Sequence, residues 1–173
     1  MKESITGEDR IPVPGAQGLD HTADIGLEVR GQDLPELFAR AALATLWFVL
    51  GRTTAGGPSN EGEGVTGMTE GVTGMTKEIE LAEEDLSTLL RSWLRTVLLW
   101  EDTEGFVVSG SRLMLLPTPL CGAPGGQAFG LMGKVEGYID NGPRVREIKG
   151  VTLHGLRVEQ SGEGWTGTVI FDV

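Results

Sequence analysis

One stretch of the sequence constrains the fold more than any other, because its apolar residues recur with the period of an α-helix over more than three turns. They stand at i, i+3, i+4, i+7, i+8, i+11 and i+12, namely Leu86, Leu89, Leu90, Trp93, Leu94, Val97 and Leu98. Three acidic residues at 83–85 precede them, and negative charge favours the start of a helix. The pattern predicts a long helix, ending at about Glu101, with one face on a hydrophobic core.

A second helix is predicted nearer the N-terminus, from Asp33 to about Leu50. Asp33 is suited to cap it, Pro35 lies in the first turn, where its missing N–H is no loss, and Glu36 stands three residues after the cap. The apolar and small residues that follow keep a spacing of three and four, so this helix also places one face on the core.

The remaining chain has the alternation and turn residues of β-strands. Strands are predicted at residues 25–30, 77–81, 106–108, 112–116, 128–138, 151–158 and 164–173. His154 falls within the second-last of these. The order of elements predicts an α+β fold, a mostly antiparallel β-sheet sandwich with two helices packed on one face. A glycine-rich phosphate loop between a strand and a helix is missing from the sequence, which argues against nucleotide-binding folds of that kind.

The domain limits follow from composition. Residues 1–17 are rich in charge and turn formers and are predicted to be a disordered leader, followed by one domain over 18–173. Within it, residues 51–76 form a predicted flexible Gly-rich insert, in which Glu-Gly-Val-Thr-Gly-Met-Thr occurs twice in succession. A mobile loop without a role of its own is favoured there over a partner-binding loop. With neither a signal peptide nor an apolar run of membrane-spanning length, a soluble cytoplasmic protein is expected.

Charge and cysteine content exclude several functions. The formal net charge of −11 repels phosphate backbones, which argues against stable nucleic-acid binding and favours cations or a basic protein as partners. A single cysteine, Cys121, excludes an intramolecular disulfide and a multi-cysteine zinc site.

Candidate ligands stand at both ends of the predicted domain. Asp20, His21 and Asp24 lie just before the strand at 25–30, where they are either turn formers or ligands. At the other end, the Asp172 side chain and the Val173 α-carboxylate are adjacent. If the last strand lay beside the strand that begins after Asp24, three carboxylates would converge, an oxygen set of the kind that Ca²⁺ takes. These residues alone leave that question open.

Two separated motifs resemble the signatures of one family. Residues 20–27, Asp-His-Thr-Ala-Asp-Ile-Gly-Leu, followed by 34–42, Leu-Pro-Glu-Leu-Phe-Ala-Arg-Ala-Ala, resemble the N-terminal signature of the archease family. Residues 148–156, Ile-Lys-Gly-Val-Thr-Leu-His-Gly-Leu, with Trp165 and the terminal Val-Ile-Phe-Asp-Val, resemble its C-terminal signature. The likeness covers nearly the whole chain outside the leader, the insert and the segment 117–126.

The resemblance implies a small α+β protein that activates an RtcB-type RNA ligase in tRNA splicing and RNA repair. Such proteins promote guanylylation and multiple turnover of the ligase without catalysing ligation. The resemblance also implies a divalent-cation site, usually with calcium, whose ligands here are Asp24, Asp172 and Val173, with Asp20 and His21 in supporting positions. The alternatives are a general protein chaperone or adaptor, and a metal-dependent hydrolase that uses His21 with the aspartates.

Overall fold

A computed structural model of the protein describes residues 11–20, 24–54, 74–119 and 127–173, which form two helices and two antiparallel sheets. In chain order the elements are β1 (Ala16–Asp20), β2 (Ile25–Gly31), α1 (Leu34–Leu50), β3 (Met75–Glu83), α2 (Leu86–Glu104), β4 (Phe106–Pro119), β5 (Gln127–Ile139), β6 (Gly150–Val151), β7 (Arg157–Ser161) and β8 (Gly164–Asp172). The predicted α+β class is confirmed.

Both helices begin and end where local chemistry favours it. Asp33 caps α1 by accepting a hydrogen bond of 2.8 Å from the Glu36 N–H. Asp85 caps α2 in the same way, with Thr88 as the donor at 2.8 Å. Each helix is followed by a glycine in the left-handed region, and α2, which is capped by Gly105, ends at Glu104, three residues beyond the predicted end.

The core lies where both helices pack against both sheets. One sheet has the order β1-β2-β8-β6, with β7 also paired to β8, and the other has the order β3-β5-β4. Trp93 is fully buried between the helices, and its indole N–H donates to the Phe38 carbonyl at 2.9 Å. Gly167 on β8 lies under α2, so that a Cβ there would meet the Leu90 side chain at 3.3 Å. Helix and sheet therefore approach closely.

The structure places the C-terminal part of the predicted leader and the last residues of the predicted insert within the folded domain. Ile11 and Val13 are buried and β1 begins at Ala16, because their apolar side chains cover the open side of the core. Residues 1–10, 55–73 and 120–126, including Cys121 and most of the duplicated insert, lie outside the described residues. The strand predicted from residue 77 begins at Met75, inside the predicted insert.

Two strand predictions were wrong in detail. The strands predicted at 106–108 and 112–116 are one strand, β4, with a register shift between Val108 and Gly110. His154 is not in a strand, because the chain leaves β8 after Val151 and rejoins it at Arg157. Gly155, with φ +67°, supplies the left-handed residue that this detour needs.

An ion-pair network fixes the chain that follows β5. Arg144 pairs with Glu101 on α2, and its other guanidinium nitrogens donate to the carbonyls of Gly142 at 2.5 Å and Asp140 at 2.7 Å. The Asp140 carboxylate pairs with Arg52, just after α1. Glu101 is 7% exposed, so its charge depends on Arg144 for compensation.

The substitution Arg144→Met tests this dependence. It leaves Glu101 buried without a cation, and we expect the free energy of unfolding to fall by about 3–5 kcal/mol, measured by urea denaturation. The matched control is Arg112→Met, because Arg112 is 87% exposed and faces Glu136 at 3.7 Å on the surface of the other sheet. That change should cost less than about 1 kcal/mol. Equal losses in the two variants would contradict the assigned role of Arg144.

The pH dependence of stability tests the Asp140 pair. Burial alone raises the pKa of Asp140, but the Gly142 N–H and the Arg52 guanidinium outweigh it and hold the pKa below its usual value. A lowered folded pKa adds stability that is fully present above the unfolded pKa of about 3.9 and is lost as the pH falls through the folded pKa. Asp140→Asn should therefore be less stable than the wild type at pH 7, with the gap closing below about pH 4. Asp102→Asn, on the exposed side of α2, should show no such gap.

Candidate functional site

The register of two neighbouring strands brings the two ends of the domain together. β2 and β8 are antiparallel, and their last pair at one end of the sheet is Ile25 with Phe171. Asp24 directly precedes this pair and Asp172 directly follows it, so both acidic residues lie at the same end of adjacent strands. The last predicted strand therefore lies beside the strand that begins after Asp24, a question that the sequence alone left open.

Both aspartates are accessible at this end of the sheet. Asp24 and Asp172 are exposed, and Val173 is half-buried. Asp20 pairs through its backbone with Ile25 and so ends β1 at the same edge. The Asp20 side chain and the whole of His21 lie outside the described residues, and their supporting role stays a prediction.

Lys149 is a residue of this site to which the sequence analysis gave no role. Its backbone N–H donates to the Asp172 carbonyl at 2.8 Å, and its Nζ lies 3.3 Å from the main-chain oxygen of Val173. The position of Lys149 in this site follows from the register of β6 on β8. Gly150 pairs with Asp172, and this places Lys149 opposite Val173. That register depends on the detour at 152–156, which alternation alone does not reveal.

The candidate ligands at this end of the sheet are oxygen atoms, and the nearby ammonium group of Lys149 would compete with a cation for them. The oxygens of Asp24, Asp172 and Val173 are of the type that Ca²⁺ prefers, while soft ligands are missing from this set. Among the described residues, no group of three His, Cys, Asp or Glu side chains that could hold a metal ion is found, so a cation at this end of the sheet would also need main-chain or water oxygens. The ammonium group of Lys149 adds a positive charge that a cation must overcome.

Comparison with known proteins gives consistent matches over most of the chain. Residues 17–173 match the model of the Archease protein family (MTH1598/TM1083). "Protein archease" of Archaeoglobus fulgidus is 30% identical over 156 residues, which cover 90% of this chain and 96% of that protein. "Protein archease" of Thermococcus gammatolerans is 30% identical over 155 residues, covering 89% of this chain and 95% of the relative.

Solved structures match as well. The solution structure of Methanobacterium thermoautotrophicum protein 1598 is 26% identical with a TM-score of 0.62, and covers 92% of this chain and 99% of its own. The crystal structure from Thermotoga maritima, described as an archease and possible chaperone, has a TM-score of 0.51 at 20% identity and covers 90% and 94% of the two chains. The second likeness concerns the fold alone.

In the part of the chain described here, a helix long and apolar enough to cross a membrane is not found.

Calcium titration of variants tests the donor set. Asp24→Asn and Asp172→Asn each remove one negative charge, and we expect each to weaken Ca²⁺ binding by about tenfold or more, measured by calorimetry. Lys149→Met removes the competing cation and should strengthen binding. Glu159→Gln, an exposed position on β7, serves as the control and should leave the affinity unchanged. Wild-type affinity in both aspartate variants would exclude them as ligands.

Proposed function

The chain belongs to the archease protein family, and on that premise we propose that it activates an RtcB-type RNA ligase in tRNA splicing and RNA repair. It acts as a non-catalytic partner that promotes guanylylation and multiple turnover of the ligase. The observation that carries the proposal is the pairing of β2 with β8, which brings Asp24 and Asp172 to one exposed end of the sheet.

In the proposed mechanism, the exposed end of the sheet that carries Asp24 and Asp172, called the acidic tip below, docks on the ligase. Asp24 and Asp172 project from strands that are fixed by pairing, so they can be presented to a second protein without first becoming ordered. Lys149 holds the main-chain oxygen of Val173 in place beside them. A divalent cation bound here would supply a positive charge to which a phosphate or carboxylate oxygen of the ligase complex could coordinate.

The acidic tip and the overall charge favour docking on a protein over binding RNA. With a formal net charge of −11, the chain repels a phosphate backbone, so direct contact with the RNA is unfavourable. The same charge attracts the basic surface that an RNA ligase needs for its own substrate. We therefore place the tip near the guanylylation site of the ligase, where it helps to position a metal ion or the nucleotide phosphate.

A general chaperone is the second candidate, favoured by the description of the T. maritima protein as a possible chaperone. The two functions differ in what the acidic tip must do. A chaperone that protects many clients works through apolar contacts, and its activity should survive loss of one carboxylate. An activator that works through the tip should lose its effect.

A multiple-turnover ligation assay tests the proposal. With purified RtcB-type ligase, the wild type should raise the number of products formed per ligase molecule. Asp24→Ala and Asp172→Ala should each reduce that stimulation by about 10- to 100-fold, the range found when groups that support a metal site are removed. Thermal unfolding of each variant checks that the fold is intact.

Glu159→Ala removes an exposed carboxylate from β7, away from the tip, and should stimulate normally. Normal stimulation by both aspartate variants would refute the role of the tip. Failure of the wild type to stimulate the ligase, together with suppression of aggregation of unrelated proteins, would favour the chaperone.

A further inference from the structure

A long open groove runs beside α2, along the connection between β5 and β6. It has a volume of about 1170 Å³, above the roughly 300–1,000 Å³ that is typical of small-molecule pockets. Its two long walls are α2 and the connecting residues 140–149, and Lys149 lies at one end. Since Lys149 also contacts Val173, the groove leads to the acidic tip.

The connecting wall is extended chain with free backbone groups. Its residues alternate between exposed and half-buried from 141 to 150, as in a strand. The N–H groups of Val145 and Arg146 donate to the Val49 carbonyl, whereas those of Glu147 and Ile148 have no partner within the described residues. The carbonyls of residues 143–148 likewise accept no hydrogen bond from the described part of the chain. A row of this kind can pair with an added strand.

The position of this wall is fixed before anything binds. The Arg144 network anchors one end to α2, the Val49 carbonyl holds the middle, and the Lys149 N–H to Asp172 bond holds the other end. An incoming chain therefore does not have to order the wall. The free N–H and C=O groups are preorganised for pairing.

Side chains of the groove give it a polarity along its length. Arg95 on α2 and Arg146 on the connection have no ion-pair partner in the described ranges. Arg95 lies one turn from Arg91, which donates to the Val151 carbonyl and so places this part of α2 near Lys149, while the acids Glu83 and Glu147 also line the groove. The unpaired acid of α2, Asp102, is seven positions further along the helix, roughly 10 Å away at 1.5 Å per residue. Between them lies Leu99, whose side chain is 58% exposed.

We propose that this groove binds an extended peptide segment of the partner protein, paired with residues 146–148 and carrying a carboxylate side chain at the Arg95 and Arg146 end. An apolar side chain of the segment covers Leu99. The inference rests on the proposed function in taking the RNA ligase as that partner. A nucleic acid is disfavoured as occupant, because acidic residues also line the groove and the chain is strongly negative.

Hydrogen–deuterium exchange on the full-length protein tests the pairing. Successive N–H groups of an extended chain point to opposite sides, so an added strand pairs with one of the two free amides. On addition of excess RtcB-type ligase, the amide of either Glu147 or Ile148 should exchange at least about tenfold more slowly, because it gains a hydrogen-bond acceptor. The amides of Gly162 and Glu163, in the turn between β7 and β8, should not change. Unchanged exchange at Glu147 and Ile148 in a saturated complex would overturn the inference.

Charge reversal tests the polarity. Arg95→Glu and Arg146→Glu should each weaken ligase binding by about tenfold or more, measured by calorimetry, since like charges then meet. Arg157→Glu, at an exposed position on β7, makes the same charge change away from the groove and should bind normally. Equal weakening by all three variants would show a non-specific charge effect and would also overturn the inference.

Failure of the groove and failure of the proposed function give different results. If the amide of Glu147 or of Ile148 becomes protected while Asp24→Ala and Asp172→Ala stimulate the ligase normally, the groove stands and the role of the tip falls. If the wild type stimulates the ligase through its aspartates without protection of Glu147 and Ile148, the function stands and the groove falls. A wild-type protein that does not bind the ligase at all contradicts both.

Discussion

The pairing of β2 with β8 is the contact on which the rest of the molecule depends. It joins the start of the domain to its end, with Ile25 opposite Phe171, and it fixes which residues share the outer edge of the sheet. The apolar faces of both strands lie under the helices, where Leu27 and Val169 are buried as a pair. A slip of one residue would turn these side chains to the solvent, so core packing itself enforces the register. The position of the aspartates is a by-product of that packing.

The candidate site and the groove have one property in common. In both, the polar groups belong to a chain segment that is already held in place by other contacts of the fold. Asp24 and Asp172 extend directly from paired strands. Within the described part of the chain, residues 140–149 pair with no strand, yet the buried pair of Arg144 and Glu101 holds one end of them. Buried ion pairs of this kind add little net stability, but they are costly to break. Here the pair serves to define the path of the chain.

The sequence predicted the helices better than the connections. The spacing of Leu89, Leu90 and Trp93 places them on one helix face that must be buried in a core. Asp33 is the predicted cap of α1, and the acidic residues at 83–85 indicate the start of α2, where the structure shows Asp85 as the cap. The strands were harder, because alternation does not distinguish a continuous strand from one with a bulge, as β4 shows at residue 109. It also could not show that His154 lies in a detour, since only the pairing of β6 and β7 with the same strand makes the extra residues visible. For the same reason the alternation pattern assigns no role to Lys149, although Lys149 lies within the motif at residues 148–156.

The arrangement of the two sheets has a consequence for how the protein is made. The second sheet is built from a continuous middle portion, β3 to β5, and its strands can pair as soon as that portion has left the ribosome. The first sheet cannot be completed until residues 164–172 have been synthesised, because β2, β6 and β7 all pair with β8, although β1 and β2 can pair before then. Until then the edge of β2 that pairs with β8 has free backbone N–H and C=O groups, and a chain truncated before β8 would leave that edge open to aggregation and proteolysis. A chain that lacks β8 therefore cannot assemble the acidic tip, because Asp172 stands at the end of that strand.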